Sequence, residues 1–261
     1  MVPDSYLPLD PRFLPRTQTS HLNDVPPRVL VAVCTYNELA NLPELTQRIL
    51  NAVPDCRLLI VDDQSPDGSG DWVADAMRDE PRLRLIARRN QRGLGGATRA
   101  AFQYAVDNGY LYLLNLDGDL SHDPNVLPVM LGIINSRPDI DVVVGSRYVS
   151  DGSIAGWPIH RKLMSRLVNL FATTVLRLPV SDCSGSFRCY RVSMLAAIDP
   201  SSLKSESYAI LEEVLVQLRK KGAKMVEVPI QFTDRERGSS KLTNREALRS
   251  AWQLLRVAIR T

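Results

Sequence analysis

The chain has 261 residues, and its 32 Lys and Arg against 29 Asp and Glu give a formal net charge of +3. A hydrophobic content of 44% and a charged content of 23% are ordinary for a globular protein with room for one large α/β domain or two small ones. So small an excess of positive charge gives no reason to expect a nucleic-acid partner.

The N-terminal segment, residues 1–27, is rich in proline and lacks the apolar stretch of a signal peptide. We interpret it as a disordered tail that precedes the folded domain. A membrane span is not expected, because the best charge-free apolar candidate, residues 167–176, has half of the ~20 residues that a span requires.

The cysteines include no Cys-x-x-Cys pair, and the three histidines are scattered. This spacing argues against a zinc site and favours reduced thiols in a cytosolic protein. The four residues concerned are Cys34, Cys56, Cys183 and Cys189.

Strands and helices alternate along the first half of the chain. Strands are predicted over residues 29–33, 57–61, 83–87, 110–116 and 142–145. Helices are predicted to end near Val53, to cover residues 70–79, to run from Gly93 to about Asn108, and to begin at Pro124. Either Asn37 or Asn41 would cap the first helix. This alternation predicts an α/β fold with a mostly parallel sheet and helices on both faces.

The second half continues with a predicted helix over residues 160–178 and predicted strands over 187–191 and 225–232. From residue 243 the chain is predicted to be helical again. We therefore expect one domain over residues 28–242, followed by an amphipathic C-terminal helix over residues 243–261.

The C-terminal helix has two distinct faces. A basic face would contain Arg245, Arg249, Arg256 and Arg260, and a neighbouring apolar stripe would contain Leu248, Trp252, Leu255 and Ile259. One interpretation is a surface helix with a solvated cationic face. The other is a helix that lies on an anionic membrane or docks a membrane partner.

Two acidic residues, Asp117 and Asp119, follow directly on the apolar run 110–116, which is typical of a buried parallel strand. The carboxyl ends of such strands are where open α/β sheets bind their ligands. Two like charges ~5 Å apart repel by roughly 3 kcal/mol at an effective dielectric of ~20. A solvated turn would tolerate this repulsion. A divalent cation bound to a diphosphate would remove it, and we favour that interpretation.

Further polar motifs follow the other strands and then occur in the second half. The first strands are followed by Thr35-Tyr36-Asn37-Glu38 and by Asp62-Asp63-Gln64-Ser65-Pro66-Asp67-Gly68, and the fifth by Gly145-Ser146-Arg147-Tyr148. The second half contains Gly156-Trp157, Arg161-Lys162, Ser165-Arg166, a run from Ser181 to Arg188, and Asp234-Arg235 before Gly238, Ser240, Lys241 and Leu242.

This ordered set resembles the inverting family 2 glycosyltransferases of GT-A fold, and within them the catalytic subunits of polyprenyl-phosphate or dolichyl-phosphate mannosyltransferases. The resemblance extends over about residues 28–261. It implies transfer of mannose from GDP-mannose to a polyprenyl or dolichyl monophosphate, with Mg²⁺ or Mn²⁺ as cofactor. The membrane acceptor implies a peripheral enzyme at the cytoplasmic face, held there by its basic amphipathic helices or by a small membrane-anchoring subunit.

The resemblance also implies residue roles. The nucleotide sugar would be bound by Cys34, Tyr36, Glu38, Val61, Asp63, Asp117, Gly118 and Asp119, with Val61 and Asp63 at the base. The metal would be held by Asp117, Asp119 and Ser121. Arg147, Arg235 and Lys241 would hold the phosphates and, together with Asp119, form the catalytic set. The acceptor phosphate would meet Arg161 and Ser165.

A phosphate acceptor changes what the site must contain. A phosphate monoester has its second pKa at about 6, so it is largely dianionic at neutral pH and needs no strong base. Glu213 is therefore assigned a structural role, although Glu212 or Glu213 would be essential if the acceptor were a hydroxyl. Three alternatives stay open: a UDP-glucose-dependent polyprenyl-phosphate transferase, a transferase to hydroxyls, and a non-catalytic protein that binds sugar nucleotides.

Overall fold

A computed structural model describes residues 28–89, 92–235 and 244–259, with side chains of the last segment from residue 249 onward. The predicted disordered tail, residues 1–27, and the predicted phosphate ligand Lys241 lie outside the described residues. The expectations for those two parts of the chain stay predictions.

Nine strands and eight α-helices occur within the described residues. The strands are β1 (Val29–Thr35), β2 (Cys56–Asp62), β3 (Leu83–Ala87), β4 (Tyr112–Asp117), β5 (Val142–Ser146), β6 (Ser153–Ala155), β7 (Arg188–Arg191), β8 (Met225–Pro229) and β9 (Gln231–Thr233). The helices are α1 (Leu42–Ala52), α2 (Ser69–Ala76), α3 (Leu94–Asp107), α4 (Leu127–Ser136), α5 (Ile159–Thr174), α6 (Val192–Ile198), α7 (Ile210–Lys220) and α8 (Asn244–Ile259).

The main sheet has the strand order β3-β2-β1-β4-β7-β5-β8, and β7 alone in this sheet runs antiparallel to its neighbours. Register brings the carboxyl ends of the central strands together: Cys34 pairs with Asp117 on one side, and Thr35 pairs with Asp62 on the other. The polar motifs predicted from the sequence therefore meet at one edge of the sheet.

Both faces of the central strands are buried, which explains their continuous apolar runs. On β1, Leu30 and Ala32 face a core that includes helix α3, whereas Val31 and Val33 face a second core that includes helix α1. The predicted α/β architecture, with a mostly parallel sheet between helical layers, is confirmed.

The strand predicted over residues 225–232 is wrong as a single element. It divides at Ile230: β8 extends the main sheet beside β5, whereas β9 pairs with β6 in a separate two-stranded sheet. Pro229 lies at this division and has no backbone N–H to offer a ladder, so the chain leaves the main sheet there. The switch carries Asp234 and Arg235 towards the carboxyl edge of β4.

The C-terminal helix α8 is packed on the body of the domain. Leu254 and Val257 are buried in the same core as α7, whereas Trp252, Leu255 and Ile259 are exposed. Among the described residues we find no helix with the length and apolarity needed to cross a bilayer.

Candidate active site

The site is organised around the turn that follows β4. Oδ1 of Asp119 accepts a hydrogen bond from the backbone N–H of Ser121, and Oδ1 of Asp117 accepts one from the Ser186 hydroxyl at 2.7 Å. Leu120, which follows Asp119, has φ +62°, a left-handed conformation that reverses the chain tightly. Two carboxylates with fixed orientations therefore lie at the strand end, as the sequence predicted.

A guanidinium already lies against one of these carboxylates. Nη2 of Arg235 is 3.0 Å from Oδ2 of Asp119, and its Nη1 is 3.9 Å from Oε1 of Glu38. All three side chains are largely buried. Arg235 comes from the segment after β9, so the sheet switch at Pro229 brings the predicted phosphate ligand to the predicted metal ligand.

The donor atoms at this turn fit a hard divalent cation. The Ser121 hydroxyl is buried and has no hydrogen-bond partner among the described residues, although the sequence motif places it with the two carboxylates. Burial lowers the pKa of the neighbouring His122, so its ring is neutral at pH 7. The described residues contain no cluster of three Asp, Glu, His or Cys ligands. Such a cation would therefore need further oxygens, which a bound diphosphate has.

A cavity of about 410 Å³ opens beside Asp119 and Arg235. Ser121 and Thr233 line one part of it, and Arg48 of helix α1 lines another together with Asn41, the residue before that helix. The carboxylate turn is thus accessible from a space large enough for a sugar-sized group.

The predicted base acceptor, Asp63, is buried and engaged. Its Oδ1 accepts a hydrogen bond from Nη1 of Arg88 at 2.5 Å, and its Oδ2 accepts one from the backbone N–H of Gly93 at 2.8 Å. Burial raises the pKa of this carboxyl above its ordinary value, although these two donors oppose the shift. Sequence analysis did not identify Arg88 as the partner of Asp63. The one signal in the sequence is the position of this basic residue directly after a predicted strand.

The glycines that open α3 explain how Arg88 fits. A Cβ on Gly96 would overlap the Arg88 guanidinium, and a Cβ on Gly95 would overlap the backbone carbonyl of Ser205. The segment Gly93-Leu94-Gly95-Gly96 therefore allows the start of helix α3 to pack closely next to Asp63. It is not a P-loop, because it lacks the Lys with which a P-loop binds phosphate.

The remaining predicted nucleotide ligands lie in or beside the ends of β1 and β4. Tyr36 and Glu38 lie in the loop after β1, where the Arg92 guanidinium covers the Tyr36 ring at 4.7 Å and Glu38 accepts a hydrogen bond from Asn41 at 2.7 Å. Cys34 is half-buried, and burial raises the pKa of its thiol to about 12, so it is no thiolate nucleophile at neutral pH. Gly118 packs closely against Thr35, since a Cβ on Gly118 would lie 3.2 Å from Cγ2 of Thr35.

The structure limits how Val61 can contact the nucleotide base, and that contact stays a prediction. Its side chain is fully buried in the core, because β2 is covered on both faces. The side chain therefore has no surface to offer a nucleotide base, and only its backbone lies near the strand end.

The structure also changes the interpretation of Arg147. Its Nε and Nη2 donate to the two oxygens of Asp182 at 2.7 and 2.6 Å, and Nη2 also reaches the Ser184 hydroxyl at 3.1 Å. The guanidinium is buried and lies 5.3 Å from the Trp157 ring centroid. A buried cation requires such a counter-ion. In this state Arg147 holds the Asp182 loop, and its contact with phosphate stays a prediction.

A further carboxylate, which sequence analysis missed, supports that loop. Oε2 and Oε1 of Glu227, on β8, accept hydrogen bonds from the backbone N–H groups of Ser181 and Asp182 at 2.8 and 3.0 Å. Glu227 is fully buried in a strand of otherwise apolar residues. An acidic residue inside an apolar strand is the signal that would have identified it.

The predicted acceptor ligands, Arg161 and Ser165, lie on α5 at the same side of the domain. Nη1 of Arg161 is 3.1 Å from Oδ1 of Asp234, and its guanidinium covers the Trp157 ring at 4.1 Å. The Ser165 hydroxyl accepts a hydrogen bond from the Tyr148 hydroxyl at 2.8 Å. Asp234 precedes Arg235, so the predicted acceptor site adjoins the carboxylate turn.

The two acidic residues at the start of α7 are both buried. Glu213 accepts hydrogen bonds from the backbone N–H groups of Lys204 and Ser205, the shortest at 2.7 Å. Burial raises the pKa of Glu212 to about 7, and the positive charge of Arg188 opposes that shift. The engagement of Glu213 agrees with its predicted structural role.

Comparison with known proteins identifies relatives of this arrangement. The model of glycosyl transferase family 2 matches residues 30–199. An undecaprenyl-phosphate mannosyltransferase from Micrococcus luteus is 38% identical over 216 residues, which cover 83% of this chain and 88% of the relative. A polyprenol monophosphomannose synthase from Mycolicibacterium smegmatis is 36% identical over 225 residues, which cover 85% and 84%.

Solved structures share the fold at low sequence identity. A mannosyltransferase from Pyrobaculum calidifontis in complex with GDP-Man and Mn²⁺ superimposes with a TM-score of 0.60 at 18% identity, over 96% of this chain and 69% of that one. Glucosyl-3-phosphoglycerate synthase from Mycobacterium tuberculosis, with Mn²⁺ and UDP, gives 0.64 at 15% identity, over 89% and 78%. The predicted GT-A fold is confirmed.

Proposed function

The chain belongs to glycosyl transferase family 2, and from that membership we propose that it transfers mannose from GDP-mannose to the monophosphate of a polyprenol such as dolichol. Support for mannose and for a polyprenyl phosphate comes from the activities by which the Micrococcus and Mycolicibacterium relatives are named. The GDP-Man complex of a mannosyltransferase with the same fold supports the donor. The product is a polyprenyl-phosphate mannose with inverted configuration at the anomeric carbon.

The observation that carries the acceptor assignment is the engagement of the α7 carboxylates. Glu213 is held by backbone N–H groups, and Glu212 is buried beside Arg188. Along α7, which is described throughout, a hydroxyl acceptor would therefore meet no carboxylate free to remove its proton. A phosphate monoester, with its second pKa at about 6, needs no such base and attacks as a dianion.

The metal ligands in this proposal are Asp117, Asp119 and the buried hydroxyl of Ser121. When bound, Mg²⁺ or Mn²⁺ supplies charge neutralisation to the departing diphosphate. The chain prepares these ligands before any ion arrives: Ser186 orients Asp117, and the backbone N–H of Ser121 orients Asp119. Such prior orientation lowers the cost of assembling the site.

The cations divide the remaining work. Arg235 leaves Asp119 and binds the donor diphosphate, which has the geometry for a bidentate guanidinium contact. Arg161 and Ser165 orient the acceptor phosphate from α5. Arg147 positions the loop that contains Asp182. Lys241, which lies outside the described residues, is the further phosphate ligand that the sequence predicts. The acceptor oxygen then attacks the anomeric carbon in line with the leaving diphosphate.

We place this reaction at the cytoplasmic face of a membrane, because a polyprenyl phosphate resides in the bilayer while GDP-mannose is a soluble donor. The protein meets its acceptor there as a peripheral enzyme. Its contact is with the membrane surface itself or with a small membrane-anchoring subunit.

The direct test offers a panel of labelled sugar nucleotides to the purified chain with a polyprenyl monophosphate in detergent and Mn²⁺. The expected result is organic-extractable label from GDP-mannose, sensitive to mild acid and absent in Asp119→Asn. Label from UDP-glucose instead would contradict GDP-mannose as the donor, but it would be consistent with the proposed mechanism. Label recovered only on a polysaccharide or protein hydroxyl would overturn the acceptor.

A further inference from the structure

One side chain of the C-terminal helix α8 accepts three hydrogen bonds from a single loop. This loop, residues 203–209, precedes α7 and belongs to no helix or strand, so its backbone N–H groups need partners elsewhere. Oε1 of Gln253 accepts hydrogen bonds from the N–H groups of Glu206 and Ser207, both at 3.1 Å, and from the Ser207 hydroxyl at 2.7 Å. A carboxamide oxygen has two lone pairs, so this loop occupies it fully.

The two N–H groups just before these are held from α7. Oε1 and Oε2 of Glu213 accept hydrogen bonds from the N–H groups of Lys204 and Ser205, at 3.0 and 2.7 Å. Four successive backbone donors of the 203–209 loop are therefore held by two side chains, one from each of two helices. Ser205 and Ser207 are buried, so removing either acceptor leaves donors that water does not readily satisfy.

The other side of the 203–209 loop packs on the glycines that open α3. The N–H of Gly95 donates to the carbonyl of Glu206 at 3.1 Å. A Cβ on Gly93 would lie 2.7 Å from that same carbonyl oxygen, and a Cβ on Gly95 would lie 2.0 Å from the carbonyl oxygen of Ser205. Arg99, further along α3, donates to the Ser205 carbonyl at 2.9 Å. The position of the loop therefore sets the position of the start of α3.

The start of α3 in turn holds Asp63, the predicted acceptor for the nucleotide base. The N–H of Gly93 donates to Oδ2 of Asp63 at 2.8 Å. Nη1 of Arg88 donates to the other carboxylate oxygen and also to the carbonyl of Gly93, at 2.5 and 3.3 Å. Gly93 thus contacts the loop on one side and Asp63 on the other. Hydrogen bonds weaken steeply when their angle or length is changed, so a shift of Gly93 would weaken the contact of Asp63 with a base.

These contacts form a continuous path from α8 to the base pocket. We propose that Gln253 is a positioning residue for nucleotide binding, because it holds the 203–209 loop against the start of α3 and so fixes the orientation of Asp63. This role deepens the proposed function and rests on it, with Asp63 as the contact to the base of the donor. Helix α8, for which the sequence suggested a membrane or a partner protein, thereby has a task inside the domain.

The attachment of α8 itself does not depend on Gln253. Leu254 and Val257 are buried in the core that α8 shares with α7, and burial of two such side chains keeps the helix in place. Gln253→Leu should therefore leave α8 docked while the 203–209 loop loses the oxygen that holds it. The substitution separates the position of the loop from the folding of the domain.

The test compares Gln253→Leu and Gln253→Glu with wild type in the full-length chain. Leu has a similar volume and no acceptor, whereas Glu keeps an acceptor oxygen at the same position. Gln103→Leu is the matched control, since the Gln103 side chain donates to Asp107 within α3 at 2.7 Å. Hydrogen exchange of backbone amides is measured without nucleotide, Mn²⁺–GDP affinity by calorimetry, and KM and kcat by transfer assays. Thermal melting verifies that each variant is folded.

We expect Gln253→Leu to exchange the amides of Ser207 and Gly95 at least about tenfold faster than wild type. Its affinity for Mn²⁺–GDP should fall by about threefold to tenfold, because buried donors of the loop are left unsatisfied. The KM for the donor should rise by the same factor, while kcat and the KM for the acceptor stay within about twofold, because the loss acts on nucleotide binding alone. Gln253→Glu and Gln103→Leu should behave like wild type.

Equal Mn²⁺–GDP affinity in Gln253→Leu and wild type overturns the proposal, and so does unchanged exchange at Gly95. A fall in kcat with an unchanged KM for the donor also overturns it, since that pattern indicates only a loss of active protein. A wild-type chain that binds UDP in preference to GDP contradicts the proposed donor instead. The same comparison made with UDP then decides the role of Gln253 by the same criteria.

Discussion

The guanidinium of Arg235 lies on the carboxylate of Asp119, with Nη2 3.0 Å from Oδ2. The same guanidinium also lies 3.9 Å from Glu38, so one cation compensates two largely buried carboxylates. In the free chain Arg235 therefore supplies part of the positive charge that a metal ion would bring to Asp119. Metal binding and release of Arg235 towards the donor diphosphate should be coupled.

Arg235→Gln separates these two roles. Removing the competing cation should strengthen Mn²⁺ binding without nucleotide by about threefold to tenfold, because a unit charge near the carboxylate is lost. The same variant should lose at least about tenfold in kcat/KM, because a charged contact to the diphosphate is also lost. Calorimetry and kinetics measure the two effects. Arg78→Gln is the control, since Arg78 pairs with Asp75 at 3.2 Å on the exposed surface after α2, and it should change neither quantity.

Asp119→Asn tests the metal assignment directly. The amide oxygen can still accept the hydrogen bond from the Ser121 N–H, so the turn should persist and the melting temperature should change little. Turnover should fall by at least about a hundredfold, because the charged ligand of the cation is gone. Mn²⁺ binding followed by electron paramagnetic resonance gives a second readout. Near-normal activity or unchanged Mn²⁺ affinity would remove Asp119 from the metal site.

Asp182→Asn should be costly for stability. It leaves the buried Arg147 guanidinium without a counter-ion, a change that typically costs about 3–5 kcal/mol. Urea unfolding measures this loss. Asp139→Asn, which removes an exposed partner of Arg137, should cost far less stability, because solvent screens an exposed ion pair. Equal losses in the two variants would show that Arg147 is not held as described.

The same pair has a defined pH dependence. Burial alone would raise the pKa of Asp182, but the charge and hydrogen bonds of Arg147 hold it below the ordinary value. A carboxyl with a depressed folded pKa stabilises the protein above its unfolded pKa and loses that contribution as pH falls through the folded value. Unfolding between pH 5 and lower values should therefore become easier in wild type, and this slope should flatten in the Asp182→Asn variant.

Glu212 should give the opposite pH dependence. Burial raises its pKa from 4.5 to about 7, so the folded chain binds a proton that the unfolded chain has already released. Stability should fall as pH rises from 4.5 to about 7 and then stay level. Glu212→Gln removes this penalty and should stabilise the protein at pH 8 by about 1–3 kcal/mol, with little effect at pH 4.5 or below. A variant that is less stable than wild type at pH 8 would contradict this expectation.

Glu213→Gln distinguishes a phosphate acceptor from a hydroxyl acceptor. The substitution weakens the acceptor for the N–H groups of Lys204 and Ser205, so it should cost about 1–3 kcal/mol of stability. Transfer to a polyprenyl phosphate should stay within about tenfold of wild type, because no general base is lost. If that transfer instead fell a thousandfold in a chain that is still folded, Glu213 would take part in catalysis and its structural role would be wrong.

Much of the fold and of the site was accessible from the sequence because both depend on local order. Apolar runs of strand length identified β1, β2 and β4, and register then brings Cys34 beside Asp117 and Thr35 beside Asp62. Polar residues that follow parallel strands lie at the same edge of the sheet, regardless of which contacts their side chains make. The sequence thus determined the α/β class, the edge that contains the site and the candidate metal ligands.

Only the tertiary structure decided which charges pair. Arg147 and Asp182 are 35 residues apart, and their contact arises because β7 brings the Asp182 loop back beside β5. Arg235 reaches Asp119 because the chain changes sheets after Pro229. Pairing and burial are properties of distant segments brought together, so local patterns in the sequence did not predict them.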